Sequence, residues 1–111
     1  MLEYLFSNKN VEKILMYLCL HEKAHATQLR RSFNSALDPI QKTLKKLEEG
    51  GLLVSFLEGK TRVFQWNPRY PFLKEIQSLA SKAYSYLPVD IQQAHFQTKK
   101  RKRPRKTGKP L

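Results

Sequence analysis

The sequence has few of the features that stabilise small secreted or membrane proteins. Its one cysteine, Cys19, cannot form a disulfide within the chain, and no Cys/His spacing typical of a zinc site occurs. No stretch longer than eight residues lacks Lys, Arg, Asp and Glu. A membrane-spanning helix needs about 20 apolar residues, and a signal peptide needs a basic start before its apolar run. We therefore expect a soluble, intracellular protein that binds no metal or other cofactor.

Signatures of catalysis are also missing. The chain has only four glycines and no glycine-rich phosphate loop, and its three histidines, His21, His25 and His95, are scattered. No pattern predicts a nucleophile beside a base or two carboxylates in one pocket. The sequence therefore predicts a protein that is not an enzyme, in which Cys19 and the histidines are structural or surface residues.

Acidic residues are scarce: 9 Asp and Glu stand against 21 Lys and Arg, a net charge of +12 in 111 residues. Eight of the basic residues lie in 99–111, which contains no acidic residue, so residues 1–98 carry only +4. We predict that 99–111 is a disordered basic tail, because it has too little apolar surface to offset the entropy of ordering it. The charge predicts a polyanionic partner, nucleic acid before an anionic membrane. The basic residues of the tail are Lys99, Lys100, Arg101, Lys102, Arg103, Arg105, Lys106 and Lys109.

Apolar spacing predicts two helices in the first third of the chain. The first begins near Asn10, a suitable N-cap, and because it is apolar on several faces we expect burial on two sides. The second is short, is capped by Thr27, and carries Leu29 and Phe33 to the core. Asn34 follows, and asparagine tolerates a left-handed turn. The apolar stripe of the first helix consists of Val11, Ile14, Leu15, Leu18 and Cys19.

A third helix is predicted to begin between Ser35 and Pro39. Ser35 with Asp38 three residues later resembles a capping box; alternatively Asp38 is the cap and Pro39 takes the first helical position. In either case two glycines end the helix at 50–51. The helix presents Ile40, Leu44 and Leu47 to the core, and Gln41, Lys42, Lys45 and Lys46 outward.

Residues 52–87 predict a β-hairpin and a last helix. Two strands, Leu52 to Leu57 and Thr61 to Trp66, flank a glycine-containing turn. Phe64 and Trp66 lie on one strand face, and packing of the hairpin is favoured over stacking on a single-stranded base. The last helix, 71–87, has an apolar stripe too wide for one small domain to cover, so we expect a homodimer, with 88–98 as a transition segment. The predicted dimer residues are Leu73, Ile76, Ala80, Ala83 and Leu87.

This order of elements is that of a helix-turn-helix followed by a β-wing, a mainly α fold with a small hairpin spanning 1–87. The stretches LFSNKNVEKILMYL, SALDPIQKTLKKLEEGGLL and EGKTRVFQWNP resemble winged helix-turn-helix transcriptional regulators of the ArsR type and, more loosely, the MarR type. The resemblance covers roughly residues 5–87. It implies that the third helix enters the major groove of DNA while the hairpin lies along the backbone or the minor groove. Asn34 stands where the family usually has glycine, and the cysteine pairs or His/Asp clusters of metal sensors are missing.

Candidate DNA contacts follow from these placements. Gln41 is the best base reader, since an amide pairs bidentately with adenine; otherwise it faces solvent. Ser35 contacts a phosphate or only caps its helix. Asp38 would repel phosphate, so it caps or accepts from cytosine N4, and Leu37 touches a thymine methyl. The remaining predicted contacts are Arg30 and Arg31, for which pairing with a glutamate is the alternative, Lys42 and Lys45, the hairpin residues Lys60 and Arg62, and the tail.

Three hypotheses of function remain open. The first is a dimeric regulator of transcription bound to double-stranded DNA. The second is a sequence-tolerant architectural or chromatin protein held mainly by its tail, and the third is a winged-helix protein-interaction module. Segment 99–106 (KKRKRPRK) serves as a DNA arm, a nuclear-localisation signal or a lipid-binding patch. We expect a cytoplasmic, nucleoid-associated protein in a prokaryote, and the nucleus if the segment directs import.

Overall fold

The computed structural model describes residue 6 and residues 8–96. This part is mainly helical with one small antiparallel sheet, as predicted, and the predictions for 99–111 lie outside it. Within the described part no helix is long and apolar enough to cross a membrane, and no group of three His, Cys, Asp or Glu side chains is placed to hold a metal ion. The elements are α1 (Lys9–His21), β1 (Lys23–Ala24), α2 (Ala26–Phe33), α3 (Leu37–Glu49), β2 (Leu53–Glu58), β3 (Thr61–Trp66), α4 (Leu73–Ser85) and α5 (Val89–His95).

The core forms around α1. This helix contacts α3, β1 and α4, which accounts for its apolar residues on more than one face. The two-sided burial predicted from the sequence is confirmed, although Cys19, at the edge of the predicted stripe, is only half-buried. Burial of these side chains is the main driving force for folding. The buried apolar residues of α1 are Val11, Ile14, Leu15, Met16, Tyr17 and Leu18.

The helix caps differ from those predicted for α1 and α2. Asn8, not Asn10, caps α1: its Oδ1 accepts from the backbone N–H of Asn10 at 2.7 Å. His25, not Thr27, caps α2 in a reciprocal capping box with Gln28. The His25 Nδ1 accepts from the Gln28 N–H at 3.2 Å, and the Gln28 Oε1 accepts from the His25 N–H at 3.3 Å. Each cap pairs an N–H that the first turn of a helix leaves without a partner.

Both predicted starts of α3 are also wrong. Its N-cap is Ala36, which offers no side-chain hydrogen bond, and Pro39 lies at the third helical position. Ser35 lies in the turn before the helix, and its Oγ is buried without a partner in the described part of the chain. Asp38 lies in the first turn, where its carboxylate interacts favourably with the positive end of the helix dipole. It does not cap the helix.

The core-facing residues of α2 and α3 lie as predicted. Leu29 and Phe33 of α2 are buried, as are Ile40 and Leu44 of α3, and Leu47 packs against the same core. The other faces of both helices are exposed. Asn34 between them is left-handed, at φ 51° and ψ 51°, as its side chain allows.

The hairpin is confirmed, with β2 beginning at Leu53. Its two-residue turn has Gly59 at φ 64°, a conformation that glycine adopts without strain. Phe64 is buried, and the Trp66 Nε1 donates to the Leu18 carbonyl at 3.2 Å, which confirms that these aromatics pack the hairpin onto α1. The sequence analysis missed β1, which pairs with β3 to give the order β1-β3-β2.

The last predicted helix, 71–87, corresponds to α4, which begins at Leu73, and a separate short helix follows it. α4 ends at Ser85, and α5 makes about two turns within the segment predicted as a transition. Most of the predicted dimer stripe is used inside the chain: Ala80 and Ala83 are buried against the core, and Leu73, Ile76 and Leu87 pack around it. The exposed apolar residues nearby are Phe72, Leu79, Tyr86, Val89 and Ile91.

Candidate nucleic-acid interface

α2 and α3 pack against each other across a tight turn. The left-handed Asn34 ends α2, and its N–H donates to the Arg31 carbonyl at 3.4 Å while the Ser35 N–H donates to that of Arg30 at 3.2 Å. These bonds pair carbonyls at the end of α2 and define the direction in which the chain enters α3. The outward face of α3 is thereby held at a set angle to α2.

The exposed face of α3 is polar and mostly cationic. Gln41, Lys42, Lys45 and Lys46 are all exposed, as predicted. The Lys42 Nζ lies 3.2 Å from the Asp38 carboxylate one turn earlier, and both side chains are more than 70% exposed. Exposed pairs of this kind contribute at most about 1 kcal/mol, so Lys42 can exchange Asp38 for a phosphate at little cost.

Next to α3 lies the hairpin, which carries Lys60 in its turn and Arg62 near the start of β3. The Arg62 Nη1 donates to the Ser55 Oγ at 3.0 Å, and that hydroxyl donates to the Glu48 carboxylate at 2.5 Å. This chain of hydrogen bonds joins the hairpin to the last turn of α3. Glu58, the last residue of β2, pairs with the Lys23 Nζ at 2.6 Å, so its charge is offset within the molecule.

A groove of about 400 Å³ lies between the start of α2, the face of α3 and the hairpin. It brings together Gln41, Lys60 and Arg62, which the sequence analysis named on separate elements. All the charged side chains that line it are cationic, so an anionic ligand is favoured there. The other lining residues are His25, Ala26, Thr27, Leu44, Thr61 and Phe64.

Other predicted contacts lie outside the groove. Lys42 and Lys45 extend the exposed face of α3, and Arg30 and Arg31 are exposed near the end of α2. Leu37 and Ser35 are only partly exposed, at the turn before α3, which limits what either can contact. The tail residues 99–106 lie outside the described part of the chain.

Sequence reasoning missed three polar residues of the groove, His25, Thr27 and Thr61, as groove-lining groups. The signal for His25 was present: His25 and Gln28 have the spacing of a capping box, with histidine in place of serine or threonine. In a neutral ring, an Nδ1 that accepts leaves the hydrogen on Nε2. His25 therefore caps α2 through Nδ1, and the same residue lines the groove.

Cys19 and Tyr17, two potential nucleophiles of α1, are partly or fully buried. Burial raises the pKa of the Cys19 thiol, and the Sγ donates to the Gln77 carbonyl at 3.6 Å. Burial likewise raises the pKa of the Tyr17 phenol, against the opposing effect of a hydrogen bond with Ser32. Both groups are held in their neutral forms, which are poor nucleophiles.

Comparisons with known proteins add no relative. No family model matches the chain, and neither the curated proteins nor the solved structures searched contain a match.

Proposed function

We propose that this chain is a winged helix-turn-helix protein that binds double-stranded DNA and regulates transcription. The observation that carries the proposal is the groove, in which Gln41 of α3 meets Lys60 and Arg62 of the hairpin. An exposed polar helix face beside a cationic hairpin suits a duplex, since the helix enters the major groove while the hairpin follows the backbone.

In this proposal α3 supplies the sequence preference. The major groove, about 12 Å wide, admits one helix, and in this proposal the exposed Gln41 amide pairs with an adenine edge. Lys42 and Lys45 follow Gln41 on the exposed face of α3 and bind phosphates along the groove. Phosphate contacts set the register of a protein on the duplex, and base contacts set its preference.

The hairpin acts as the wing. Lys60 in its turn and Arg62 on β3 are exposed, and the Arg62–Ser55–Glu48 hydrogen bonds join the hairpin to α3. Arginine placed in a narrow minor groove reads its negative potential rather than its bases. The wing therefore contributes to the preference for DNA shape, and the basic tail adds attraction that is independent of sequence.

We propose that the protein acts as a homodimer. Three apolar side chains on or next to α4 are exposed and would form the dimer interface. They are Phe72 and Tyr86, which are 60% and 65% exposed, together with Leu79. Apolar side chains exposed on one helix favour burial against a second copy. Leu73, Ile76 and Leu87 lie partly buried beside them and would form the rim of that interface. A monomer mass from light scattering at micromolar concentration would contradict this part.

The decisive experiment is selection of bound sequences from a random duplex pool. Two half-sites about one helical turn apart are expected, because a symmetric dimer repeats its contacts at that spacing. The double variant Gln41→Ala/Lys45→Ala should lose about 10- to 100-fold in affinity for the selected duplex, the sum of one base contact and one phosphate contact.

A matched control is Gln93→Ala/Lys82→Ala, which removes the same residue types from exposed positions on α5 and α4. This control should bind like the parent. Binding of the Gln41→Ala/Lys45→Ala variant with parental affinity would overturn the proposal.

The basic tail favours a second candidate function, a sequence-tolerant architectural DNA or chromatin protein. This second candidate rests on the observation that eight of the 21 basic residues lie in 99–111, a segment without acidic residues. In that case selection should yield no preferred sequence, and the Gln41→Ala/Lys45→Ala variant should bind as the parent does. Removing 99–111 should then abolish binding.

A further inference from the structure

A second cavity, of about 160 Å³, lies between α1 and α5 and shares no lining residue with the groove. We call it the α1–α5 cleft. Met16 of α1, Phe33 at the end of α2 and Phe96 after α5 line it and are buried. Leu87 and Ile91 also line it and are partly exposed, so a small molecule can enter the cleft from solvent.

The cleft exists because polar contacts at its end, rather than buried side chains, position α5. No side chain within α5 is buried. The His95 Nδ1 donates to the Ser32 carbonyl at 2.9 Å, and the His21 Nε2 donates to the Phe96 carbonyl at 2.5 Å. These bonds hold α5 near α1 and α2, but its apolar side chains leave the space beside α1 open.

The aromatic wall of the cleft is packed in place before any ligand arrives. The Phe96 ring meets those of Phe33 and Tyr84 edge-on, each with centroids 5.2 Å away. Phe33 in turn meets Tyr17 of α1 at 5.9 Å. Edge-to-face contacts of this kind stabilise a cluster of rings, and preformed apolar walls are typical of small-molecule sites.

The volume of the cleft suits a single aromatic ring. A cavity of about 150 Å³ lined by Leu, Ile and Phe side chains stays dry and binds benzene. The α1–α5 cleft is of the same size, and Leu87, Ile91, Phe33 and Phe96 give it a lining of the same kind. Met16 adds a thioether sulfur, which packs favourably against aromatic rings.

The charged groups of the cleft favour a neutral ligand. Glu12, which is 7% exposed, and Lys13 both line it, so one negative and one positive charge offset each other there. The Lys13 Nζ lies 5.7 Å from the centroid of the Phe33 ring, a cation–π contact that holds the ammonium group beside the aromatic wall.

His95 adds a hydrogen-bond acceptor. It lines the cleft, and its Nδ1 carries the hydrogen that is donated to the Ser32 carbonyl. In a neutral ring the other nitrogen, Nε2, is then an acceptor. A ligand with one O–H donor can therefore pair with His95 while its ring fills the apolar part of the cleft.

We propose that the α1–α5 cleft is a binding site for a neutral phenol of one ring. The ring packs against Met16, Phe33 and Ile91, and the hydroxyl donates to the His95 Nε2. A phenol keeps its proton at neutral pH, because the pKa of a phenolic hydroxyl is about 10. The inference goes beyond the proposed function and does not require it, since none of the proposed DNA contacts lines this cleft.

The test is titration of the full chain with phenol, followed by NMR of the carbon-13-labelled methyl group of Met16. The field of a bound ring should shift this signal until the site is saturated, and Met16→Leu identifies the signal by its loss. Toluene has nearly the same shape but no O–H, and should bind about 2- to 10-fold more weakly, the equivalent of one net hydrogen bond. In His95→Leu this preference for phenol should disappear while toluene still binds.

A matched pair of variants on α5 tests the position of the site. Ile91→Trp places a large ring in the cleft and should weaken phenol binding by more than about 10-fold. Val89→Trp makes the same kind of change at a residue that is 65% exposed and does not line the cleft, so it should bind phenol like the parent. Thermal unfolding of each variant shows whether the core is kept.

Three results in the parent chain would overturn the proposal. Absence of a saturable shift at Met16 would exclude the site. Toluene binding as tightly as phenol would show that the cleft accepts any ring of this size without a hydrogen bond. Tighter binding of benzoate than of phenol would assign the cleft to an anion held by Lys13. All three leave the proposed function intact, because that function is tested by duplex selection.

Discussion

The groove and the basic segment 99–106 carry positive charge in opposite ways. The groove has two cations, Lys60 and Arg62, beside Gln41, and Arg62 donates to the Ser55 hydroxyl, which in turn donates to the Glu48 carboxylate. The segment has seven cations in eight residues and no acid. Rigid, sparse charges discriminate among sequences, whereas dense charges attract any duplex. We therefore expect that mutations can change the preference for a DNA sequence and the general affinity for DNA separately.

The largest effect should follow from damaging the support of α3. Leu44 is 1% exposed beneath α3 and also lines the groove, so Leu44→Ala should lower the free energy of unfolding by about 2–5 kcal/mol. Preference for the selected duplex should disappear, while binding to unrelated duplex through 99–106 persists. Chemical denaturation and competition binding measure the two quantities.

Leu57→Ala is the control for this change, since Leu57 is exposed on β2 and its loss should alter stability by less than about 0.5 kcal/mol. Equal losses of specific and non-specific binding in Leu44→Ala would contradict the separation of the two regions.

The converse experiment removes 99–111. Affinity for every duplex should fall by roughly 30- to 100-fold at moderate salt, and the slope of log affinity against log salt should fall by up to about 7 units, or 0.9 for each of eight cations. The preferred sequence should stay the same. A tail of the same composition in shuffled order should bind like the parent, and a changed preference after the deletion would show that the tail reads bases.

A smaller effect is expected from replacing His25, and it tests whether this side chain contacts DNA in the groove. His25→Ala leaves the Gln28 N–H without its cap, at a cost of about 1 kcal/mol in unfolding free energy. His25→Asn keeps a capping oxygen but removes the imidazole from the groove. If the ring contacts DNA, both variants lose affinity; if it only caps α2, His25→Asn binds and unfolds like the parent.

Much of the fold followed from local pattern. The burial of Ile40 and Leu44, the left-handed Asn34 and the hairpin around Gly59 all depend on periodicity or on one residue's backbone preference. The helix caps were wrong because several polar residues near each helix start were equally suitable. The residue at which each helix begins decides which side chain is the cap. The cap is Asn8 rather than Asn10 for α1, and His25 rather than Thr27 for α2.

The sequence predicted which residues belong to the candidate site, but it did not predict how they are arranged. Gln41, Lys60 and Arg62 were each named from the exposed side of an element, yet nothing local indicated that they border one groove. The dimer stripe shows the same limit. Ala80 and Ala83 match a heptad, but spacing does not tell whether α1 of the same chain or a second copy covers them.

Local sequence was thus sufficient for the helical periods, the hairpin turn and the uneven division of charge, because each depends on residues within a few positions of one another. Long-range packing decided the rest. The pairing of β1 with β3 joins residues about 40 positions apart, and the bonds of His21 to Phe96 and of His95 to Ser32 span 75 and 63 positions. Such contacts form only when the core closes around α1, since burial rather than local preference selects the partners.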